Sequence, residues 1–449
     1  MHRRAREEKV TVNWVRALAM AGWATPLLAQ YAGPAILTRG EAPAAMTAAQ
    51  ISFRPFFELT GTYNTGLSGV AVDAQGQLGN LASLGVAFTG GISGTHSWKH
   101  TKVGLDYRGS VSHYTKTTYY DGSDQALMLG VTHQFTRHTS LTLRESVGMF
   151  SRNFGFPGLP QTVPFDPSST FAPTTDFYDN RTIYLSSQAD FTVQRSTRLS
   201  FNLGGDGFVV RRRSTALYGV TGAGARADTQ YRLSRRTTVG AGYTYTHFAF
   251  HGVFSSTDLH AAVATYGIRL TRRLEFSAYG GFMRAETKFL QNVPVSPDVA
   301  AIIGIPASSV VVHRIDYIPN LSARLSRTFS RGVAYISGGR SVTPGNGLFL
   351  TTTMTSASAG YTYTGLRRWS FNVVATYSRG QSVGNVLGYY GGIGGTTSAS
   401  RQITRSLHAV ASFSARQYQS PDFALYNRLI YSASLGIGFS PGDIPLRIW

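Results

Sequence analysis

Alternation with a period of two runs from Ser52 almost to the end of this chain, and it limits the fold more than any motif does. In 101–113, Val103, Leu105, Tyr107, Val111 and His113 alternate with Lys102, Gly104, Asp106, Arg108, Ser110 and Ser112. In 429–439, Leu429, Tyr431, Ala433, Leu435, Ile437 and Phe439 alternate with Ile430, Ser432, Ser434, Gly436 and Gly438. Successive side chains of a strand point to opposite faces, so each segment predicts a strand with one apolar face and one small or polar face. The same logic places Leu435 outward and Gly436 inward, which makes Leu435→Arg costly and Gly436→Ser mild.

The connections alternate in kind as well. One set is short and basic, as in Trp98-Lys-His-Thr101, Thr136-Arg-His-Thr139, Ser234-Arg-Arg-Thr237, Thr271-Arg-Arg273 and Thr404-Arg-Ser406. The other set varies in length and includes Asn153–Phe177, Leu290–Val310, Thr343–Gly347 and Gln381–Tyr389. A chain that ascends, makes a loop, descends and turns tightly produces this order. Short turns at one end and longer loops at the other describe a transmembrane barrel. The expected fold class is therefore all-β, an antiparallel up-and-down barrel of about eighteen strands, with sixteen as the alternative count. A propeller has blades of similar repeat length, but no Trp-Asp or Gly-His blade signature recurs.

Composition removes the competitors. Charged residues make up 14% of the 449, against about 25% in ordinary soluble domains. The absence of cysteine removes disulfide scaffolds, thiolate metal sites and Cys nucleophiles. The net charge of +20 comes from 37 Arg and 5 Lys set against 22 acids. These cations are spread along the chain rather than gathered in a patch, so no nucleic-acid partner is expected.

The N-terminus reads as a targeting segment. Arg3, Arg4, Arg6, Lys9 and Arg16 precede the apolar stretch Ala17–Ala29, the pattern of a secretory signal peptide. The expected organisation is a signal peptide over 1–30, a short N-terminal periplasmic arm over 31–51 and a barrel over 52–449.

Catalytic signals are weak. Gly380-Gln-Ser382-Val-Gly384 matches the serine-elbow pattern, but it lies in a Gly-rich loop with no helix after it. No lysine follows glycine and no His-Glu-x-x-His occurs, so no enzyme, cofactor or metal site is expected. Gly130-Val-Thr-His133 lacks the Ser-Asn-Gly that would make it a phospholipase motif, and Asp121-Gly-Ser-Asp124 reads as a turn. The polar face is more informative. Alternation points Lys102, Arg108, Arg144, Arg226, Arg269, Arg314, Arg324, Arg416 and Arg428 inward, together with Asp106, Asp190, Asp206, Asp228, Glu275 and Asp316. Asp106/Arg108, Arg226/Asp228 and Arg314/Asp316 set opposite charges two residues apart on one face. Charges on a water-filled wall filter solutes.

The signal segment, alternating strands, turn–loop asymmetry and aromatic terminus Ile448-Trp449 together resemble a bacterial outer-membrane β-barrel of porin type. The resemblance implies Trp449 as an assembly signal read by the barrel-assembly machinery. Ser440-Pro-Gly-Asp-Ile-Pro445, however, interrupts the strand before it. It further implies residence in the outer membrane of a Gram-negative-type bacterium, outer-membrane lipid as surroundings and passive diffusion of small polar or weakly anionic solutes. Homo-oligomerisation is left open. The alternative is a structural or adhesive barrel that acts through loops 153–178 and 289–310. The basic turns would meet anionic headgroups at the periplasmic rim. Phe135, Tyr231, Tyr243, Tyr245, Tyr361, Tyr363 and Phe439 would form an interfacial girdle.

Signal cleavage is checked directly. N-terminal sequencing of the membrane-purified protein should begin at Gln30 or Tyr31, and a read of Met-His-Arg-Arg would reject the signal peptide.

Overall fold

The computed structural model describes residues 51–65, 82–115, 121–150, 182–212, 217–294, 296, 298, 301–302, 307–345, 347, 350–363, 365–383, 388–421, 427, 429–441 and 444–446. Among them are β1 (Ile51–Asn64), β2 (Ser83–Ser97), β3 (Thr101–Tyr114), β4 (Gly122–Gln134), β5 (Thr139–Phe150) and β6 (Thr182–Gln194). β7 (Leu199–Arg212), β8 (Gly219–Arg232), β9 (Thr237–His251), β10 (Ser255–Arg269), β11 (Leu274–Pro294) and β12 (Ala307–Phe329) follow. The last are β13 (Gly332–Pro344), β14 (Thr351–Tyr363), β15 (Trp369–Ser382), β16 (Tyr389–Gln402), β17 (Leu407–Gln419), β18 (Leu429–Phe439) and the short β19 (Ile444–Leu446). From β1 to β18 each strand pairs antiparallel with the next, and β1 pairs with β18 from Phe57↔Phe439 to Asn64↔Ser432, closing an eighteen-stave barrel.

The final stave is broken and then resumes. β18 pairs with β1 up to Phe57↔Phe439, and β19 pairs with it again from Phe53↔Ile444. Between these rungs the last strand has one residue more than β1, the count of a bulge, where a sheet tolerates proline. Trp449 lies outside the described residues.

Closure fixes which way every side chain points. Directly paired residues share a face, so Leu59 leads to Phe88 and Phe88 to Val111. The same rule leads round the barrel to Ile437, opposite Leu59 again. Leu59, Leu84, Phe88, Val111, Leu203, Ile393 and Leu435 are exposed on the outer face. His133 is also outward, edge-on to Phe135 and bonded to the Thr101 hydroxyl at 2.7 Å.

The tight turns share a device. Their first Ser or Thr hydroxyl accepts the backbone N–H groups that the turn strands. Ser196 Oγ takes Arg198 and Leu199, Ser234 Oγ takes Arg236 and Thr237, and Thr136 Oγ1 takes His138 and Thr139. The hydroxyl satisfies the backbone, and Arg198, Arg235 and Arg236 between are exposed.

Glycine and aromatic residues form pairs on the inner face. Tyr114 lies over Gly85, Phe56 over Gly91, Tyr184 over Gly148, Phe208 over Gly222 and Tyr390 over Gly380, each from the adjacent strand. A Cβ on Gly85 or Gly380 would stand 2.7 Å from the tyrosine ring. At these rungs the ring occupies the space a side chain on the glycine would need.

Two expectations are corrected. Leu290–Val310, read as a loop, is strand at both its ends, because β11 and β12 stay paired up to Pro294↔Ala307. The β-branched run Val310–Val312 favours the extended conformation. Gly436 does point inward, but a Cβ there would meet the Leu59 carbonyl and sit 2.6 Å from Thr60 Cγ2, so Gly436→Ser is not mild. Ser434 is the proper inner-face control; it shares one hydrogen bond with Ser412 at 2.7 Å. In chemical denaturation of the folded barrel in bilayers, Leu435→Arg should cost about 2–4 kcal/mol. Ser434→Ala should cost about 1 kcal/mol. Equal costs would mean that the last strand's register is wrong by one residue.

Candidate functional site: the barrel lumen

The inner face has three sectors with different chemistry. The first, on β3–β8, carries most of the charge. Asp106 and Arg108 are buried on β3, Lys102 lies exposed at its turn end, and Arg144 faces inward from β5. Arg226 on β8 is paired with Asp190 on β6, two strands away, rather than with its sequence neighbour Asp228. The bridge crosses above Gly204 of β7, where a Cβ would stand 2.5 Å from both Arg226 Nε and Asp190 Oδ1. Glycine at that rung is what lets the pair form. Asp228 instead accepts from Asn202 Nδ2 at 3.1 Å. Asp206 faces Gly224, and a Cβ there would be 2.9 Å from its Oδ1.

The second sector, β13–β18, is lined with hydroxyls. Serines directly opposite one another are hydrogen-bonded across the strands: Ser337–Ser358 at 2.8 Å, Ser370–Ser400 at 2.6 Å, Ser412–Ser434 at 2.7 Å and Ser414–Ser432 at 2.7 Å. Among the described strand residues of this wall, Arg416 is the one inward Lys, Arg, Asp or Glu; its guanidinium donates to Tyr418 Oη at 3.2 Å. Arg324 of β12, at the edge of the sector, lies over the Tyr335 ring, 4.8 Å from its centre.

The third sector is apolar and lies toward the loop end of β6–β13. Phe208, Val220, Phe248, Leu259, Met283 and Ile318 are buried inward there and pack with Val342 and Leu350. The partner in this packing is the tip of the β13–β14 hairpin. Residues 342–345 and 350–354 are buried in succession instead of alternately, so the tip is covered on both faces. It is folded into the barrel and pinned by Thr257 Oγ1 to Thr351 Oγ1 at 2.7 Å and by Tyr218 N–H to the Gly347 carbonyl at 3.1 Å. Gly347 has φ +92, and a Cβ there would be 2.5 Å from Arg212 Nε.

Around this inner apolar core the outer face turns polar. His247 meets Asp258 at 2.8 Å, Tyr245 Oη donates to Asp258 at 2.8 Å, and Glu286 bridges Arg284 at 2.8 Å and His313 at 2.6 Å. Polar outside and apolar inside is the arrangement of a sheet in water. The upper part of β9–β12 is built as a water-exposed crown above the apolar band.

The remaining inward residues fall at the margins. Arg269 and Glu275 pair at 2.9 Å beside the turn that joins β10 to β11. Arg314 and Asp316 pair at 2.9 Å on the projecting part of β12, above the lumen. Arg428 is outside the described residues. Alternation alone missed Arg54 and Glu58, which share the inner face of β1 with Phe56; the Phe56-Phe57 doublet hid the parity. It also missed Asp124, inward on β4 and buried. Asp121 caps its hairpin by accepting the Tyr114 N–H at 2.8 Å.

No family model matches the chain, and no curated protein matches it. Solved structures similar to it include Pseudomonas aeruginosa OccK5 (OpdH), at 12% identity and TM-score 0.41, covering 88% of this chain and 98% of that one. OprD from the same organism follows at 9% identity and TM-score 0.40, over 90% and 98% of the two chains. Acinetobacter baumannii OccAB1 has 11% identity and TM-score 0.42, over 89% and 99%.

The Asp190–Arg226 pair can be probed by truncation. Both side chains are close to nine-tenths buried, with exposures of 11% and 7%. Asp190→Ala removes the counter-charge at Arg226 and should destabilise the barrel by roughly 3 kcal/mol in denaturant titrations. Asp206→Ala, which leaves this pair intact, should cost less.

Proposed function

We propose that the chain is an outer-membrane channel through which small polar or weakly anionic solutes diffuse passively. The observation that carries this reading is the contrast across one wall. The same strands that expose Leu, Val and Phe outward present a sector rich in serine and threonine hydroxyls inward, from β13 to β18. A wall of this kind needs hydrocarbon outside and water inside. The inward hairpin tip fills the β6–β13 side and leaves the hydroxyl sector as the solute path. Lys102, Asp106, Arg108, Arg144, Asp190, Asp206, Arg226, Asp228, Arg269, Arg324 and Arg416 are assigned to lumen lining on this reading, Arg324 and Arg416 are the ones that face the path, and Arg314 and Asp316 stand above it and outside the conducting machinery. The tight turns then lie at the periplasmic rim among lipid headgroups, the loops face outward, and Trp449 serves the assembly machinery.

A second reading, contact with a surface partner, is favoured by one feature. The β11–β12 hairpin has strands of 21 and 23 residues, against 11 to 15 for the other long strands. It projects beyond the rim and bears exposed Val310, Val311, Ile315 and Tyr317.

Planar-bilayer recordings test the channel. The wild-type protein should conduct with a weak anion preference that fades as salt rises, since screening acts over about 8 Å at physiological ionic strength. Arg324→Glu with Arg416→Glu should shift selectivity toward cations. Zero conductance from protein whose folding is confirmed by heat-modifiable gel mobility would reject the channel.

A further inference from the structure

A closed barrel has no free edges, yet this one has a fork. β12 and β13 are paired from Phe329↔Gly332 up to Leu321↔Arg340 and no further. Above that rung β13 turns into the lumen with the hairpin tip, while β12 continues upward on β11 alone as far as Ala307. Pro319 stands just above the last shared rung. Proline lacks the N–H that a ladder needs and is confined to sheet edges. From Pro319 upward, one edge of β12 therefore has no strand partner among the described residues. Its side chains are also uncovered: Tyr317 is 73% exposed and Val311 54%.

The height of this edge places it in water. Ile315 is fourteen residues above Phe329, the turn end of β12. At about 3.3 Å per residue and a tilt of 35–45°, it stands roughly 35 Å above the turns, beyond an apolar band of about 25 Å. The outward residues beside it, Glu286, Lys288 and His313, are polar.

The sequence of the edge is complementary to itself. In an antiparallel pairing of two copies of Val311–Pro319 centred on Ile315, Arg314 of each copy lies opposite Asp316 of the other. Val312 then meets Ile318, His313 meets Tyr317, and every pair shares a face, as antiparallel partners do. Arg314 and Asp316 already attract each other along one strand, at 2.9 Å; across the pair the same charges meet on both sides of the axis. Two copies in one membrane are related by an axis along the membrane normal, which makes steep strands run nearly parallel. Two copies facing each other from apposed membranes are related by an axis in the membrane plane, which makes them antiparallel.

We propose that the free edge of β12 is a homotypic docking site, where this chain pairs strand to strand with a second copy on an apposed membrane. The inference rests on the surface-contact reading above and names its partner. Joining the edges forms a four-stranded sheet from two β11–β12 hairpins and pairs backbone groups that have no strand partner among the described residues, the general mode of strand addition. One such contact of nine rungs is weak alone. Many copies on two facing surfaces multiply it through effective concentration.

The test uses the full chain in liposomes, with clustering read by light scattering and pore function read separately by conductance. Wild-type vesicles should cluster. Arg314→Asp and Asp316→Arg each place like charges opposite one another twice, and each should lower clustering by roughly tenfold or more. Mixing vesicles of the two single variants restores opposite charges at both rungs and should restore clustering, as should the double exchange within one chain. Conductance should be the same in all of them, so failure of the channel reading and failure of this one are distinguishable. Heat-modifiable mobility confirms that each variant is folded. Because the chain has no cysteine, Ile315→Cys supplies an independent readout. At the centre of the pair the Cα atoms would stand about 4.5–5.5 Å apart, within the range a disulfide spans, so oxidised clusters should contain covalent dimers. Dispersed wild-type vesicles, unaltered clustering of either single variant, or failure of the mixed variants to recover would overturn the proposal. So would disulfide dimers that form equally in isolated, unclustered vesicles, since these would place the contact within one membrane.

Discussion

Everything in this barrel depends on where the backbone N–H and C=O groups find partners. In hydrocarbon an unpaired peptide group costs several kcal/mol, so a sheet that crosses a membrane must close on itself. The β1–β18 ladder achieves that closure. It also removes any freedom in the facing of side chains, because a single slip would invert an entire strand. The last strand shows the constraint at work: it takes in one extra residue between Phe439 and Ile444, and β19 then pairs with Ile51–Phe53.

Once facing is fixed, the inner wall is shaped by volume. Glycine opposite an aromatic ring, as in Gly148 beneath Tyr184, makes room for the ring on the wall, and glycine beneath an ion pair, as at Gly204, lets charges meet across an intervening strand. The hydroxyl sector uses the first device at Gly380 beneath Tyr390, and elsewhere its paired serines satisfy each other at the distance the ladder already sets. The charged sector binds its own charges to each other, while the hydroxyl sector presents groups that donate and accept with little preference.

The inward turn of the β13–β14 tip links the pore to the outer surface. It fills one side of the lumen and draws β13 away from β12. The apolar face of the upper β6–β13 sheet is buried against it, and the outer face of β9–β12 becomes polar in response. The narrowing of the lumen and the bare edge of β12 are two consequences of one bend, and Pro319 is positioned where it begins.

Alternation and turn spacing alone determined the class, the strand count and the facing of residues such as Leu435 and Arg416. These follow from local geometry: a strand puts every second residue on one face, and a four-residue turn of the type Ser234–Thr237 satisfies its own backbone. The sequence could not disclose that Arg226 reaches Asp190 over Gly204, that Gly436 abuts the Leu59 carbonyl, or that the β11–β12 ladder runs on into both ends of Leu290–Val310. Nor could it disclose that a hairpin tip lies inside the barrel against Thr257. Each of these joins residues on separate strands, with 94 positions between Thr257 and Thr351. Such contacts are set by the shear and closure of the whole sheet, which no local pattern encodes. The tertiary structure alone decided which part of the inner wall is packed, which part is open, and where an edge is left bare.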